Sequence, residues 1–325
     1  MLHAFRCLPL AMRNGDLYRC YIYDFKRFSR FSAASSPDPT QESLRSLITI
    51  DYHRLEKGLS LRDCRVGFGR PAAEDLLRNT KTYLAEYGGD VITEIALNVL
   101  REYARFNGGH GVDVAWLTGE LDQISAPTPA GSEPQGGTYV LGRDELLAKS
   151  KRDLSDFFAS RHSIRDFSDE DVDPKLIEQA VGMALSTPSV CNRQAWRVHL
   201  FSDREEMTRA LELQNGNVGF RHQINKLIII TCDLRCFVKN DERNQSWIDG
   251  GMFSMSLIYA LHSLGLGTCC LNWAVPPWND EMLRALGAIP ENEVVMMFLA
   301  VGHLPEEFKV AQSRRRAIVD VLTAH

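Results

Sequence analysis

The chain has 325 residues, 44% of them hydrophobic, which is enough for the core of one large domain or two smaller ones. Its formal net charge of -5 gives no general attraction to nucleic acid or anionic membranes, so an anionic ligand would need a local cluster of cations. Because the apolar runs fall far short of the roughly 20 residues that cross a bilayer and residues 1–10 lack a small-residue cleavage site, we expect a cytoplasmic protein.

Helical periodicity dominates the first 110 residues. We predict three helices there, over residues 40–58, 72–87 and 90–106. Residues 125–137 consist mainly of Pro, Gly, Ser and Ala without periodicity, which is typical of a flexible connection. The sequence therefore predicts a mostly helical N-terminal region over residues 1–140 and a second domain over residues 141–325.

Beyond residue 140, helix and strand patterns alternate. Asp173 can cap a helix that begins at Pro174. Strand patterns occur in four segments, residues 196–201, 227–231, 268–273 and 294–301. Residues 247–264 are apolar nearly all the way round, as in a helix buried in a core or a subunit interface. This order predicts an α+β fold with a central mixed sheet flanked by helices.

A short basic segment opens the second domain. Arg161, Ser163 and Arg165 alternate with His162 and Ile164. In an extended segment, residues two apart share a face, so two guanidinium groups and a hydroxyl would point the same way. Arginine can bind two phosphate oxygens at once and keeps its charge, so this pattern indicates a phosphate site. The alternative is a solvated basic edge beside the acidic residues at 166, 169 and 170.

A polar turn follows between a predicted helix and a predicted strand. Its members include Pro188, Ser189, Asn192 and Gln194. Amide and hydroxyl groups fixed on a turn can bond to the edge of a flat heterocycle that alternates donors and acceptors. The other interpretation is an ordinary polar loop.

Two glycines, Gly265 and Gly267, separate the apolar helix from the strand pattern that begins at Thr268. A glycine at this point can simply end the helix. It can also let the backbone approach a planar ring closely enough to present an N–H to it. The segment is not a dinucleotide fingerprint, because it lacks the third glycine and follows a helix instead of a strand.

Three consecutive arginines lie near the C-terminus. Alternation would direct Arg314 and Arg316 one way and Arg315 the other, so two more cations could close on one phosphate. Charge runs of this kind are most often solvated tails. In an acidic chain that also carries Arg161 and Arg165, they favour an anion held between the two segments.

The eight cysteines are scattered, at positions 7, 20, 64, 191, 232, 236, 269 and 270. Several lie in apolar strand-like runs, as reduced core thiols do, so we expect no disulfides. The four between 232 and 270 lack the two-residue gap of zinc knuckles, and no histidine lies at matching spacing. We expect no metal site.

Together, these segments resemble the nitroreductase family of flavoproteins. The matching stretches are residues 161–167 (RHSIRDF), residues 188–196 (PSVCNRQAW), the glycine turn before Thr268, residues 301–305 (VGHLP) and the late arginines. The resemblance spans residues 151–325. It implies an FMN-binding α+β fold that forms a homodimer with FMN at the subunit interface, preceded here by a helical extension.

The resemblance also implies which residues bind the cofactor. Those at the ribityl phosphate would be Arg161, Ser163, Arg165 and one of Arg314 and Arg316. His162, within the same segment, is also counted as a cofactor-binding residue. Those that meet the flavin from the partner chain would be Pro188, Ser189, Asn192 and Gln194. Gly267 and Thr268 would lie beside the isoalloxazine ring.

The implied activity is hydride transfer from NADH or NADPH through flavin N5 to a small electron-poor acceptor, such as a nitro compound or a quinone, in a ping-pong cycle. The protein would exclude water and orient both substrates, and no side chain is predicted to be a catalytic acid or base. One alternative is a specialised relative that oxidises a substrate or cleaves flavin. Another is a flavin-binding protein without catalysis.

Residues 53–59 (HRLEKGL) resemble a segment of nitroreductase-like proteins associated with polysaccharide biosynthesis. We interpret this segment as a helix end at which Glu56 and Lys57 are exposed. The alternative is a substitute lid over the flavin pocket, because little sequence between residues 211 and 247 is available to build one.

Overall fold

The fold is described from a computed structural model, which covers residues 10–34, 40–124, 136–287 and 289–324. Residues 1–9, which belong to the segment considered above as a possible leader, lie outside the described residues. Most of the predicted linker over residues 125–137 also lies outside them.

Helices make up the N-terminal region. They are α1 (Leu10–Phe31), α2 (Gln41–Leu59), α3 (Arg70–Tyr87), α4 (Val91–Gly109) and α5 (Ala115–Leu121). The three predicted helices are confirmed as α2, α3 and α4. Thr40 caps α2 by accepting the backbone N–H of Ser43, and Asp90 begins α4 with a capping box to Thr93. Their apolar faces meet in one buried cluster that includes Leu55 and Leu100.

The first helix packs against the C-terminal part of the chain. The Arg27 side chain is buried and donates to the backbone carbonyls of Glu291 at 2.8 Å and Glu293 at 2.6 Å. Phe28 and Phe31 pack against a small buried cluster beside the sheet. Sequence analysis predicted a mostly helical region here without identifying this helix.

The C-terminal part alternates helices and strands. Its elements are α6 (Arg143–Ser150), α7 (Ser155–Ser160), α8 (Pro174–Ala184), β1 (Trp196–Phe201), α9 (Arg204–Glu212), β2 (Lys226–Asp233), α10 (Gln245–Ser263), β3 (Leu266–Asn272), α11 (Pro277–Ala285) and β4 (Glu293–His303). Asp173 caps α8 as predicted, by accepting the N–H of Lys175. The α+β class is confirmed.

The four strands form one sheet in the order β1-β2-β4-β3, so β1 and β3 are its edges. All three strand pairings are antiparallel. We had expected a mixed sheet. Among the described residues, the parallel component is limited to an isolated bridge between Ser163 and Thr268.

Both faces of the sheet are covered. Helices α8 and α10 pack on the face that carries Ile228 and Ile230, and α9 and α11 contribute to the core on the face that carries Leu227 and Ile229. Successive residues of a strand point to opposite faces, so a strand buried on both faces is apolar throughout. This explains the uninterrupted apolar run of β2.

Within the described ranges, no helix is both long and apolar enough to cross a membrane. The seven cysteines found there are free thiols.

One buried group of potential metal ligands consists of Glu42, Asp233 and Cys236. Its carboxylates already have cationic partners, since Arg197 lies 2.8 Å from Glu42 and Arg235 lies 2.7 Å from Asp233. The group is therefore accounted for by ion pairing.

Candidate functional site

The basic segment at residues 161–165 runs along the outer edge of β3. Ser163 pairs with Thr268 in the parallel bridge, and the backbone N–H of Ile164 donates to the Thr268 carbonyl at 2.8 Å. The backbone of Arg161 is extended, as predicted. Because β3 is an edge strand, this pairing anchors the segment against the sheet.

Two glycines of the sheet make room for the same segment. Gly267 and Gly302 are directly paired across β3 and β4. A Cβ at Gly267 would lie 3.1 Å from the Ile164 side chain, and a Cβ at Gly302 would lie 2.6 Å from the Phe167 ring. The paired glycines thus form a recess for these two apolar side chains. The recess fixes the positions of the polar residues that lie between the two in sequence. Thr268 is itself buried.

Arg161 and Ser163 line one cavity of about 350 Å³ together with Arg315 and Cys270. Tyr259 of α10 forms part of its wall. Two arginines from segments some 150 residues apart in sequence therefore line one cavity together with a serine. Of the residues predicted for phosphate, the cavity is lined by Arg161 and Ser163, and Arg315 lines it where the sequence favoured Arg314 or Arg316.

The remaining predicted cations are not among the residues that line this cavity. Arg165 donates to the Ser163 carbonyl at 3.5 Å and is exposed. Arg314 and Arg316 are exposed residues of the C-terminal segment. His162 is half-buried, and its charge acts on His262 of α10.

The cavity is positively charged. In the described part of the chain, no carboxylate forms an ion pair with Arg161, Arg165 or Arg315. Burial lowers the pKa of His262, and the nearby charges of Arg161 and His162 lower it further. Cations without carboxylate partners that converge on one cavity favour an anionic ligand there.

The second candidate element is the loop over residues 188–194. Three of its non-glycine residues have left-handed backbone conformations, Cys191 at φ 48°, Asn192 at φ 55° and Gln194 at φ 50°. Such conformations cost L-residues about 1–2 kcal/mol each, and less for Asn, so the surrounding structure must hold them in place.

The predicted polar residues of this loop lie close together. The Gln194 backbone N–H donates to Ser189 Oγ at 3.0 Å, and the Gln194 side chain donates to Asn192 Oδ1 at 3.3 Å. Pro188 precedes them and is exposed. The loop therefore presents amide and hydroxyl groups on a compact turn, as the sequence predicted.

Buried charges hold the loop from behind. The Arg193 side chain is fully buried and binds Glu242 through two hydrogen bonds of 2.6 and 3.0 Å. The Val190 N–H donates to the buried Asp249 carboxylate of α10 at 3.2 Å. Burial raises the pKa of Glu242, but the hydrogen bonds from Arg193, Val238 and Lys239 and the charge of Arg193 outweigh it, so the pKa lies below its usual value.

Sequence analysis missed Arg193, Glu242 and Asp249 as supports of the site. Arg193 and Glu242 are 49 positions apart, and Val190 and Asp249 are 59 positions apart. No local pattern identifies such partners. The one available signal is that Arg193 stands in a polar turn directly before the apolar strand β1.

The HRLEKGL segment differs from our interpretation of it. Lys57 is exposed as expected, but the Glu56 side chain is only 19% exposed. Glu56 accepts the Gly137 N–H at 3.1 Å and contacts His53 Nδ1 at 3.3 Å. Burial raises its pKa, whereas the contacts with Gly137 and His53 lower it. Glu56 thus anchors the end of the predicted linker.

Within one chain the two candidate elements are separate. The described lining of the cavity includes no residue of the 188–194 loop. The loop instead contacts α2 and α10.

Comparison with known proteins gives a consistent result. The nitroreductase family description matches residues 158–219. A Methanothermobacter thermautotrophicus protein, provisionally named NADH dehydrogenase/NAD(P)H nitroreductase, is 28% identical over 161 residues, which are 48% of this chain and 80% of that protein. The resemblance to the nitroreductase family in the C-terminal part of this chain is confirmed.

Solved structures are similar to about half of the chain. An FMN-dependent nitroreductase from Clostridium difficile R20291 aligns with 48% of this chain and 91% of its own, at 23% identity and a TM-score of 0.41. A nitroreductase family protein from Streptococcus pneumoniae TIGR4 aligns with 53% of this chain and 100% of its own, at 19% identity and a TM-score of 0.45.

Proposed function

We propose that this chain is an FMN-dependent oxidoreductase that takes hydride from NADH or NADPH and passes it to a small electron-poor acceptor, such as a nitro compound or a quinone, in a ping-pong cycle. The observation that carries the proposal is the convergence of Arg161, Ser163 and Arg315 on one cavity without carboxylate partners among the described residues. The family match and the name of the archaeal relative support it.

The residues present fit the phosphate end of FMN. Arg161 and Arg315 supply fixed positive charge, and Ser163 supplies a hydroxyl that can donate to a phosphate oxygen. Of the three late arginines, we propose Arg315 as the phosphate ligand, because it lines the cavity and its neighbours do not.

We further propose that two copies form a homodimer, in which the 188–194 loop of one copy meets the flavin held by the other. Exposed apolar surface supports this proposal. Trp247, Ile248 and Met252 of α10 are 49%, 53% and 39% exposed, although the opposite face of the helix is in the core. The C-terminal segment exposes Ile318 and Val319. Contiguous exposed apolar residues commonly mark protein interfaces.

Bound FMN would supply the ring that accepts and donates hydride. The residues of this chain would bind the FMN, orient both substrates and exclude water. Ser189, Asn192 and Gln194 can donate to or accept from the ring edge, and the cations of the 161–165 segment hold the phosphate. Gly267 lies against Ile164 and Leu304, and the buried Thr268 pairs with Ser163, so we propose that both act by positioning that segment beside the ring. No step requires a side-chain acid or base.

The test is an anaerobic reduction experiment on the purified full chain reconstituted with FMN. We expect the flavin absorption bands to bleach on addition of NADH or NADPH, and to return when a quinone or nitroaromatic acceptor is added. Bands that persist with both nucleotides would contradict the oxidoreductase proposal and leave a flavin-binding protein. Bands that bleach but do not return with either acceptor would contradict the proposed acceptor class.

A further inference from the structure

The N-terminal helices lie directly behind the 188–194 loop. Helix α2 packs against the turn at residues 190–192. On this face of α2, Tyr52 is only 4% exposed, and its hydroxyl interacts with the side chain of Asn192 as well as with Thr49. Burial raises the pKa of Tyr52, whereas the side-chain hydrogen bonds with Thr49 and Asn192 lower it.

Helix α1 supports the same loop from a second direction. Its Phe28 and Phe31 pack against a buried cluster that contains Phe237 and Ala195, together with Val190 of the loop. The backbone N–H of Ala33 donates to the Phe237 carbonyl at 2.9 Å. The end of α1 is thereby tied to the residues on which the loop rests.

A third contact fixes the strand that follows the loop. Glu42 of α2 forms an ion pair of 2.8 Å with Arg197, the second residue of β1. Arg197 in turn donates to the Gln194 carbonyl at 3.1 Å. The N-terminal region therefore contacts the loop at its start, at Asn192 and at its exit.

These contacts supply a constraint that the loop needs. Cys191, Asn192 and Gln194 occupy left-handed conformations that non-glycine residues adopt only when surrounding contacts hold them. Asn192 is the central residue of the three, and its side chain is the one that Tyr52 contacts. We propose that the N-terminal helices hold the 188–194 loop in its ligand-binding conformation, with Tyr52 as a positioning residue that acts through Asn192. The inference that this conformation serves a flavin rests on the function proposed above.

The first test does not involve FMN. Amide hydrogen exchange of the peptide spanning residues 189–195 is measured in the wild type, in Tyr52→Phe and in the control Tyr103→Phe. Tyr103 is equally buried in the N-terminal helices, but its hydroxyl donates to the Phe68 carbonyl at 2.7 Å. We expect exchange in the loop to be roughly threefold to tenfold faster in Tyr52→Phe, the effect of one lost hydrogen bond, and unchanged in Tyr103→Phe. Unchanged exchange in Tyr52→Phe would overturn the inference.

The second test measures FMN dissociation constants in two backgrounds. Tyr52→Phe should weaken FMN binding by roughly threefold to tenfold in the wild type, and should add nothing when Asn192 is already alanine. An equal effect in both backgrounds would show that Tyr52 does not act through Asn192. If the wild type takes up no FMN, the proposed function fails, whereas the exchange result still decides whether Tyr52 positions the loop.

Discussion

Replacement of Arg161 by alanine is expected to weaken FMN binding by roughly tenfold to a hundredfold, because a hydrogen bond to a charged group contributes about 1.5–3 kcal/mol. The side chain lines the cavity and has no carboxylate partner among the described residues, so its removal should leave the free energy of unfolding of the apoprotein nearly unchanged. Fluorescence titration with FMN measures the first quantity, and urea unfolding measures the second.

Riboflavin provides the matched control, since it lacks the phosphate. Arg161→Ala should leave riboflavin affinity unchanged, because the proposed contact is to the phosphate alone. Alanine variants of the three late arginines form a second comparison, in which Arg315→Ala should weaken FMN binding more than Arg314→Ala or Arg316→Ala. Equal losses for FMN and riboflavin in Arg161→Ala would contradict the phosphate assignment.

Replacement of Arg193 by methionine is expected to destabilise the apoprotein by about 3–5 kcal/mol, because it leaves Glu242 charged and largely buried without its partner. FMN affinity should fall as well, since the loop loses its main anchor. Urea unfolding measures the loss of stability. A suitable control is Arg221→Met, which removes a more exposed partner of Glu212 and should cost less than about 1 kcal/mol.

The same ion pair predicts a pH dependence of definite sign. The pKa of Glu242 is lowered in the folded protein, so its stabilising contribution is fully present above the unfolded-state value and is lost as pH falls through the folded value. The wild type should therefore lose more stability between neutral and acidic pH than the double variant Arg193→Met/Glu242→Gln. Parallel stability curves for the two proteins would show that this pair contributes nothing to acid sensitivity.

Local sequence patterns predicted the elements whose signals are local. Strand β1 has the predicted bounds, and α8 begins at Pro174 behind its Asp173 cap. The apolar residues at 247–264 were open to two interpretations, a core or an interface. The structure confirms a core position for one face of α10, and an interface at its exposed face stays a prediction.

Other features depend on contacts between distant residues, which periodicity does not encode. Helix α1 is tied down by Arg27, whose partners are more than 260 positions away. Glu56 was expected to be exposed, but it is enclosed because the chain returns to it at Gly137. Arg161 and Ser163, which the sequence pairs as a phosphate-binding pattern, line one cavity with Arg315, and that this cavity binds phosphate stays a prediction. Which late arginine reaches it depended on the path of the C-terminal segment, which local alternation does not determine.

The most direct test of the central claim is sedimentation velocity of the full chain with FMN, followed in the flavin absorption band. We predict that flavin absorbance sediments with the protein, at a mass twice the 36.7 kDa of one chain and with one FMN per chain. Flavin that stays behind while the protein sediments would contradict FMN binding. Flavin that sediments with a protein of single-chain mass would contradict a site shared between two copies.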